Sequence, residues 1–454
     1  MNRLFGNHLT APPFVLCLLE AALTGTACVA IFDYFFSRGP ASLGIVPFAA
    51  LSAFCIVGLM HTGGLYSKEA VLDSPRMMWR IGLVAIPLFI VVILTGEEFG
   101  RHAVVRIHPY RLKWTLTFTS FWLVTAVSLR VLFRQLYHSG LFNRRILILG
   151  GDNHTVELSG LADASGQRFQ LVGQVPSSAQ TAQPAQSGLV VLARDLNVSE
   201  IVVAGDKETV PWAQLVSCRQ LGIRVTDYLD FYEREGRRVC IDHLRWDWIA
   251  LSRGYTVGWL KASFGRLLDV VASIIGLVAV APVLLMAALA IKLDDGGPII
   301  YAQERVGLNG RTFVLLKFRS MRVDAERDGM PAWARERDNR ITRVGRIIRK
   351  FRIDELPQIL NVLRGDMALI GPRPERPHFV QQFSESIPFY NYRHTLKPGI
   401  TGWAQVCFRY GASFEDTKRK LAYDLYYIKH RGLLLDALIL LKTVRVVLSG
   451  DGAR

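Results

Sequence analysis

Charge is scarce in this chain. Asp, Glu, Lys and Arg together make up 20% of its 454 residues, against about 25% in an ordinary soluble domain. Half of the residues are hydrophobic and the mean hydropathy is +0.24. Such a composition excludes a disordered chain, which lacks apolar surface to bury, and argues against an ordinary cytosolic enzyme. Cysteine is also scarce. The six cysteines, Cys17, Cys28, Cys55, Cys218, Cys240 and Cys407, show neither the spacing of a zinc knuckle nor a redox C-x-x-C. No disulfide scaffold or structural zinc is expected, and the thiols are read as reduced and cytoplasmic. No A-x-A-like cleavage site stands out after the first apolar stretch, so that stretch is not read as a signal peptide.

The little charge present is one-sided: 54 Lys and Arg against 38 Asp and Glu, a formal net charge of +16. Net basic charge calls for an anionic partner. Here the cations alternate with acids and share the chain with long apolar runs, which favours membrane lipids over nucleic acid.

Four apolar segments open the sequence, at Phe14–Phe36, Leu43–Tyr66, Ile81–Thr95 and Trp114–Phe133. Three approach the ~20 residues that a membrane-spanning helix needs, and the third is short. Residues 1–135 are therefore expected to form a bundle of four transmembrane helices. Loop cations orient it. With both termini cytoplasmic, Arg3, Lys68, Arg76, Arg80, Arg130, Arg134, Arg144 and Arg145 lie inside, and Arg38, Arg101, Arg106, Arg111 and Lys113 outside.

The texture changes after residue 144. Strand-like runs at 145–151, Phe169–Val175, Leu189–Leu192, Glu200–Ala204 and Gly222–Tyr228 alternate with polar, helix-compatible stretches, and 177–187 reads as a loop. Alternation of this kind predicts an α/β domain with a mainly parallel sheet over 144–230. A dinucleotide site would need G-x-G-x-x-G after the first strand. Counted from Gly150, the second and third glycine positions hold Asp152 and Thr155, and no Tyr-x-x-x-Lys follows. The domain is expected to be Rossmann-like but without a dinucleotide; lacking a ligand fingerprint, it is a candidate for homodimerisation. Residues 231–262, rich in aromatics such as Phe231, Trp246 and Trp259, read as a connector.

A fifth apolar segment, Leu267–Leu293, carries Pro282 near its centre. Proline removes a helical hydrogen bond and bends a helix. The expected form is a re-entrant helix–break–helix that keeps Arg266, Lys292, Asp294 and Asp295 at headgroup level. Leu433–Leu448 is amphipathic, as a surface-lying or core-facing helix would be.

Three clusters beyond residue 296 carry chemistry. Gly296-Gly297-Pro298 precedes Gln303-Glu304-Arg305-Val306-Gly307 and Lys317-Phe318-Arg319-Ser320-Met321; flexible backbone near cations suits phosphate. Arg349-Lys350-Phe351-Arg352 runs into Asp354-Glu355-Leu356-Pro357-Gln358. Pro357 is best tolerated in a first helical turn, which would set Asp354 and Glu355 at a helix N-terminus. Such a pair suits a carboxylate nucleophile beside a metal-binding carboxylate, and equally an N-cap with solvent ion pairs. Gly371-Pro372-Arg373-Pro374-Glu375 and Lys397-Pro398-Gly399-Ile400-Thr401-Gly402-Trp403-Ala404-Gln405 describe rigid loops.

Taken together with Ile291-Lys292-Leu293-Asp294, these motifs in this order make residues 263–454 resemble the catalytic domain of the bacterial polyprenyl-phosphate sugar-1-phosphate transferases. Four spans followed by an α/β domain resemble the large, WbaP-like members, and the ends Tyr410–Ser413 and Gly452–Arg454 look like an EpsB-like exopolysaccharide subgroup. The resemblance implies a multi-pass protein of the bacterial inner membrane, with a mostly helical, membrane-associated catalytic domain on the cytoplasmic side. It implies transfer of a hexose-1-phosphate from a UDP-sugar to polyprenyl phosphate with release of UMP. Asp354 falls on the family's nucleophile and Glu355 on its Mg²⁺ ligand. Lys317, Arg319, Arg352 and Arg373 are the available cations, and Gln405 and Asp424 join them as candidate substrate or phosphate contacts. Two departures stand out: Ala281 precedes Pro282 where small members have Ser, and Cys407 replaces Asn. A membrane-anchored nucleotide-sugar dehydratase and a non-enzymatic membrane sensor or scaffold are the competing readings. The sequence does not specify the sugar.

Overall fold

The computed structural model describes residues 11–36, 52–61, 65–66, 77–82, 84–86, 88–89, 111–138, 144–150, 152–164, 169–176, 188–205, 208–244, 246–251, 259–322, 340–408 and 413–449. The 177–187 loop, most of Ile81–Thr95, the loop cations Arg3, Arg38, Lys68, Arg76, Arg101 and Arg106, and the ends 410–412 and 452–454 lie outside the described residues. The chain divides into two units, Met1–Glu235 and Gly236–Arg454.

In the first unit, the helices Ala11–Phe36 and Arg111–His138 carry the first and fourth apolar segments. Shorter apolar helices occur at Ser52–His61 and Met77–Ile86. Leu16, Ile56, Met60, Met77, Ile81, Phe118 and Trp122 share one core, so all four segments contribute to it. Among the described residues two helices are long and apolar enough to cross a membrane, Lys113–Tyr137 in this unit and Ala262–Asp295 in the other. One expectation changes here. Arg130, counted among the cytoplasmic cations, lies inside the helix, fully buried and paired with the equally buried Glu20 of the first helix. A buried cation persists only if an opposite charge and hydrogen bonds compensate its lost hydration; Glu20 and the Ala126 carbonyl at 2.9 Å supply both.

Strands β1 (Arg144–Leu149), β2 (Phe169–Val175), β3 (Glu200–Val203) and β4 (Arg224–Asp227) form an all-parallel sheet in the order β2-β1-β3-β4. β1 and β3 are central, with Leu147, Ile148, Ile201 and Val202 buried on both faces, as helix-covered parallel strands require. The predicted strand at Leu189–Leu192 is instead part of the helix Gly188–Asp195. A short apolar run carries no periodicity that separates strand from helix; here Leu189 and Ala193, four residues apart, both face the core. Phe231, expected in a connector, lies in the helix Tyr228–Gly236, with its ring edge-on to Phe169 at 5.0 Å in the core of this sheet.

The second unit is built on the helix Trp259–Asp295, which contains Pro282 without interruption. The expected break between two helices is therefore not present. Proline deletes one amide donor from the ladder, and a long apolar helix can tolerate that single loss. Strands β5 (Ile300–Val306) and β6 (Thr312–Phe318) form an antiparallel hairpin. β7 (Ala368–Ile370) and β8 (Gly399–Thr401) pair in parallel. The main core gathers Phe383, Tyr390, Trp403, Leu425, Tyr426 and Ile439. Val239, Ile241, Leu244 and Ile249 belong to it too, so much of the expected connector is packed into the second unit. The helix Leu433–Ser449 buries Leu435 and Ile439 in that core and exposes Leu433, Leu440 and Val444, so it has apolar residues on both sides.

Candidate active site

Three local devices build the site. The first ends the helix Arg343–Lys350. Arg352 takes the left-handed conformation, φ 54° and ψ 24°, a helix stop usually made by Gly. A 3-10 turn, Ile353–Glu355, follows directly, and the next helix begins only at Gln358 with Pro357 as its cap. Asp354 and Glu355 therefore sit in a tight turn between two helices rather than in the first turn of one.

The second device brings Lys317 to that turn. Asn361 is fully buried. Its side chain accepts from the Leu316 amide at 3.0 Å and donates to the Val314 carbonyl at 2.7 Å. Asn361 thus clips β6 to the helix that follows the carboxylates, and Lys317, next along β6, lies over the Tyr301 ring at 5.1 Å.

The third device is a contact between glycine loops. Gly371 donates to the Thr401 carbonyl and Gly399 to the Pro372 carbonyl, both at 2.9 Å. A Cβ at Gly371, Gly399 or Gly402 would overlap backbone atoms of the facing loop. Only glycine permits this approach, and it holds the Pro372–Glu375 loop in place. From that loop Arg373 reaches Glu355 with both arms of its guanidinium, at 2.8 and 3.4 Å, while Arg352 lies 3.5 Å from the same carboxylate.

Burial raises the Asp354 carboxyl to about 6, with repulsion from Glu355 adding to it and Lys317, Arg349 and Arg373 opposing it. Glu355 is also buried, but Arg373, Arg352 and Lys317 outweigh burial and hold it below the usual carboxylate range. Lys317 is lowered to about 8, first by burial and then by Arg305, with Asp354 and Glu355 working the other way. Two adjacent carboxylates are thus driven apart, one ionised throughout and one poised near neutrality, which is a mark of reactive sites.

Of the sequence candidates, Asp354, Glu355, Lys317, Arg352 and Arg373 are brought together. The others have different partners. Arg319 is buried against Gly297 and paired with Asp295 at the end of the long helix. Gln405 folds back to donate to the Ile400 carbonyl at 3.0 Å. Asp424 is buried and bonded to Arg393 at 2.9 Å, so its side chain is committed within the protein. Asn361 and Arg393 escaped the sequence reading, because a single Asn in a helix and a cation among aromatics carry no local signature.

Adjacent carboxylates amid half-buried cations, beside glycine-braced loops and a long apolar helix, suit the chemistry of phosphoryl groups. The profile of the bacterial sugar transferase family matches residues 260–450. The UDP-N-acetylgalactosamine-undecaprenyl-phosphate N-acetylgalactosaminephosphotransferase of Aeromonas hydrophila is 45% identical over 53% of this chain and 56% of its own length. The undecaprenyl-phosphate glucose phosphotransferase of Komagataeibacter xylinus is 43% identical over 40% of this chain and 35% of its own. The UDP-glucose:undecaprenyl-phosphate glucose-1-phosphate transferase of Caulobacter vibrioides is 46% identical over 41% of this chain and 71% of its own. The chain thus covers little more than half of the first of these relatives and about a third of the second. It belongs to the bacterial sugar transferase family.

Proposed function

We propose that this protein transfers a hexose-1-phosphate from a UDP-sugar to undecaprenyl phosphate and releases UMP. The carrying observation is the Asp354–Glu355 turn faced by Lys317, Arg352 and Arg373. Asp354 Oδ attacks the β-phosphorus of the UDP-sugar. The bond from that phosphorus to the bridging oxygen breaks, and UMP leaves with the electron pair. The sugar phosphate is then held as an acyl phosphate on Asp354. An oxygen of polyprenyl phosphate attacks the same phosphorus, restores the Asp354 carboxylate and yields polyprenyl diphosphosugar. A carboxylate is a weak nucleophile, so the step relies on cations that draw charge from the phosphoryl oxygens. Lys317 and Arg373 are placed to do this.

A divalent cation fits the donor chemistry. Mg²⁺ is commonly held by one or two carboxylates with substrate phosphates and water completing the shell. Glu355, held below the usual carboxylate range, is such a donor, with Arg373 the group that would yield an oxygen to the ion. Bound there, Mg²⁺ would neutralise charge on the diphosphate.

The parallel α/β sheet, with its order β2-β1-β3-β4, supports the reading of 144–230 as a Rossmann-like domain; without a ligand fingerprint, we propose that it serves assembly, as a homodimer. A membrane-anchored dehydratase would need dinucleotide space at the carboxyl ends of β1 and β3. Asp152 and Thr155 stand where the second and third glycines of the fingerprint would be, which disfavours that reading. A sensor or scaffold would leave the poised Asp354 without a use.

With the break absent, what we propose for 267–293 is that both ends of the unbroken helix stay with the catalytic domain, on the cytoplasmic side and after four preceding spans; the contacts at the two ends support the first part. Arg266 caps the Val362 and Leu363 carbonyls at 2.5 and 2.8 Å. Twenty-nine residues later Asp295 pairs with Arg319, and Asp294 accepts from the Val344 amide at 3.3 Å. Both ends are thus anchored on one folded unit, while Val278, Leu285, Met286 and Leu289 between them are exposed.

Purified protein in detergent, given UDP-glucose, UDP-galactose or UDP-N-acetylgalactosamine, should release UMP with one of them only when undecaprenyl phosphate and Mg²⁺ are present for turnover. Absence of UMP across a wide sugar panel would overturn the proposal.

A further inference from the structure

The cation that holds Glu355 is itself held. Arg373 sits on a loop between two prolines, and its main-chain carbonyl accepts from Arg393 at 2.9 Å. The same guanidinium donates to Asp424 Oδ2 at 2.9 Å and to the Tyr390 hydroxyl at 2.8 Å. Arg393 is 6% exposed and Asp424 2%. On its other side the loop is gripped from β5: Arg305 donates to the Pro374 carbonyl at 3.1 Å, and the Val306 amide donates to the Glu375 carbonyl at 2.9 Å. The segment Arg373–Glu375 is therefore clamped on consecutive carbonyls by two arginines from separate elements.

We infer that Arg393, oriented by Asp424 and Tyr390, is a positioning residue for the transfer reaction: it fixes the main chain of Arg373 so that the Arg373 guanidinium stays on Glu355 and beside the reacting phosphate. Arg393 is too buried to touch substrate, and its bonds point to Asp424, Tyr390 and Arg373. A guanidinium can serve three acceptors in one plane with fixed geometry; a lysine ammonium, a point charge on a flexible stem, cannot reproduce that fork. Asp424 has no contact with the reacting pair and serves by fixing Arg393. Burial, opposed by Arg393, holds its carboxyl up at about 6, in keeping with an acid enclosed with one cationic partner. Reading Asp424 as a direct phosphate contact is thereby replaced by a role two bonds removed.

This inference rests on the proposed function, and a double-mutant cycle separates the two. Transfer is measured as UMP release by the full-length protein in four forms: wild type, Arg393→Lys, Arg373→Ala and the double variant. If Arg393 acts through Arg373, Arg393→Lys lowers kcat/KM about 30-fold in the wild-type background and less than about threefold once Arg373 is gone, because residues acting as one unit are not additive. A residue that merely supports the fold would cost the same factor in both backgrounds. Equal factors, or full activity of Arg393→Lys, would overturn the inference while leaving the proposed function standing. Full activity of Arg373→Ala would overturn the inference and the role given to Arg373, whereas absence of UMP release by the wild type would overturn the proposed function itself. Should Arg393→Lys fail to fold, Asp424→Asn runs through the same cycle. It keeps the shape and one acceptor for Arg393, and Asp424→Glu should recover part of the lost rate.

Discussion

Two buried charge clusters in this protein differ in one respect. The first lies at the start of the parallel sheet. Arg144 reaches Glu235 at 2.7 Å and Glu200 at 3.5 Å; Arg234 reaches the same two acids at 2.9 and 2.8 Å. Two arginines meet two glutamates, and Thr226 donates to Glu200 at 2.6 Å. Burial pushes Glu235 up, yet Arg144 and Arg234 more than reverse it, and its carboxyl lies below the usual range. Each charge is at rest. The second cluster sets Asp354 and Glu355 among Lys317, Arg349, Arg352 and Arg373, two acids against four cations. Only Glu355 is directly clamped there; Asp354 and Lys317 are pushed toward neutrality, to about 6 and about 8. A balanced network braces a fold, whereas one with surplus cations and an unsettled carboxylate awaits a polyanion. Each cluster has two carboxylates; the balance of cations against them decides the use.

That contrast can be broken most sharply at Asp354. Asp354→Asn removes the proposed nucleophile without changing shape and should lower transfer by at least about a thousandfold, with a circular dichroism melt no lower than that of wild type. Retained turnover would place the two clusters in one class. In the braced cluster the opposite outcome is expected. Glu200→Gln leaves two partly exposed guanidinium groups short of a charge and should cost about 1 kcal/mol of stability once solvent screening is allowed for, seen as an earlier melt of the α/β domain. Transfer per folded molecule should stay within about twofold of wild type, since no reacting group is touched. A loss of turnover without a loss of stability there would deny that the network is a brace.

The smallest effect is one of pH. On the proposed mechanism Asp354 attacks as the carboxylate, and its carboxyl loses its proton as pH rises through about 6. Lys317 must be charged to draw electrons from phosphate, and it loses that charge as pH rises through about 8. The rate should therefore climb through about 6, hold near neutrality and fall above about 8, a severalfold change at each limb. A profile flat from pH 5 to 9 would contradict the environment of both groups.

Much of this was legible along the chain. Adjacent carboxylates after a basic run, two glycine–proline loops and five apolar segments are local patterns, and each appears in the sequence within a few residues. β1, β2, β3 and β4 were readable because their apolar runs are bounded by turn residues. Leu189–Leu192 was not, because four apolar residues suit a strand and a helix equally and only packing against β3 and the helix Trp212–Gln220 chooses. Arg130 read as a loop cation because its partner, Glu20, lies 110 residues away. Arg393 gave no sign at all: its role exists only through Asp424 and the Arg373 carbonyl.

What the sequence alone determined is the inventory: five apolar segments, an α/β domain with an incomplete glycine fingerprint, and a carboxylate pair directly after a run of cations. Tertiary structure decided the assignment of partners. It brought Lys317 across from β6 by way of Asn361, pressed the Gly371 and Gly399 loops together, and gave Arg373 to Glu355 while giving Arg319 to Asp295 and Asp424 to Arg393. The reason is physical. Residue type and spacing act over one or two turns of backbone, but burial, which raises Asp354 and lowers Lys317, depends on which distant segments exclude water from them.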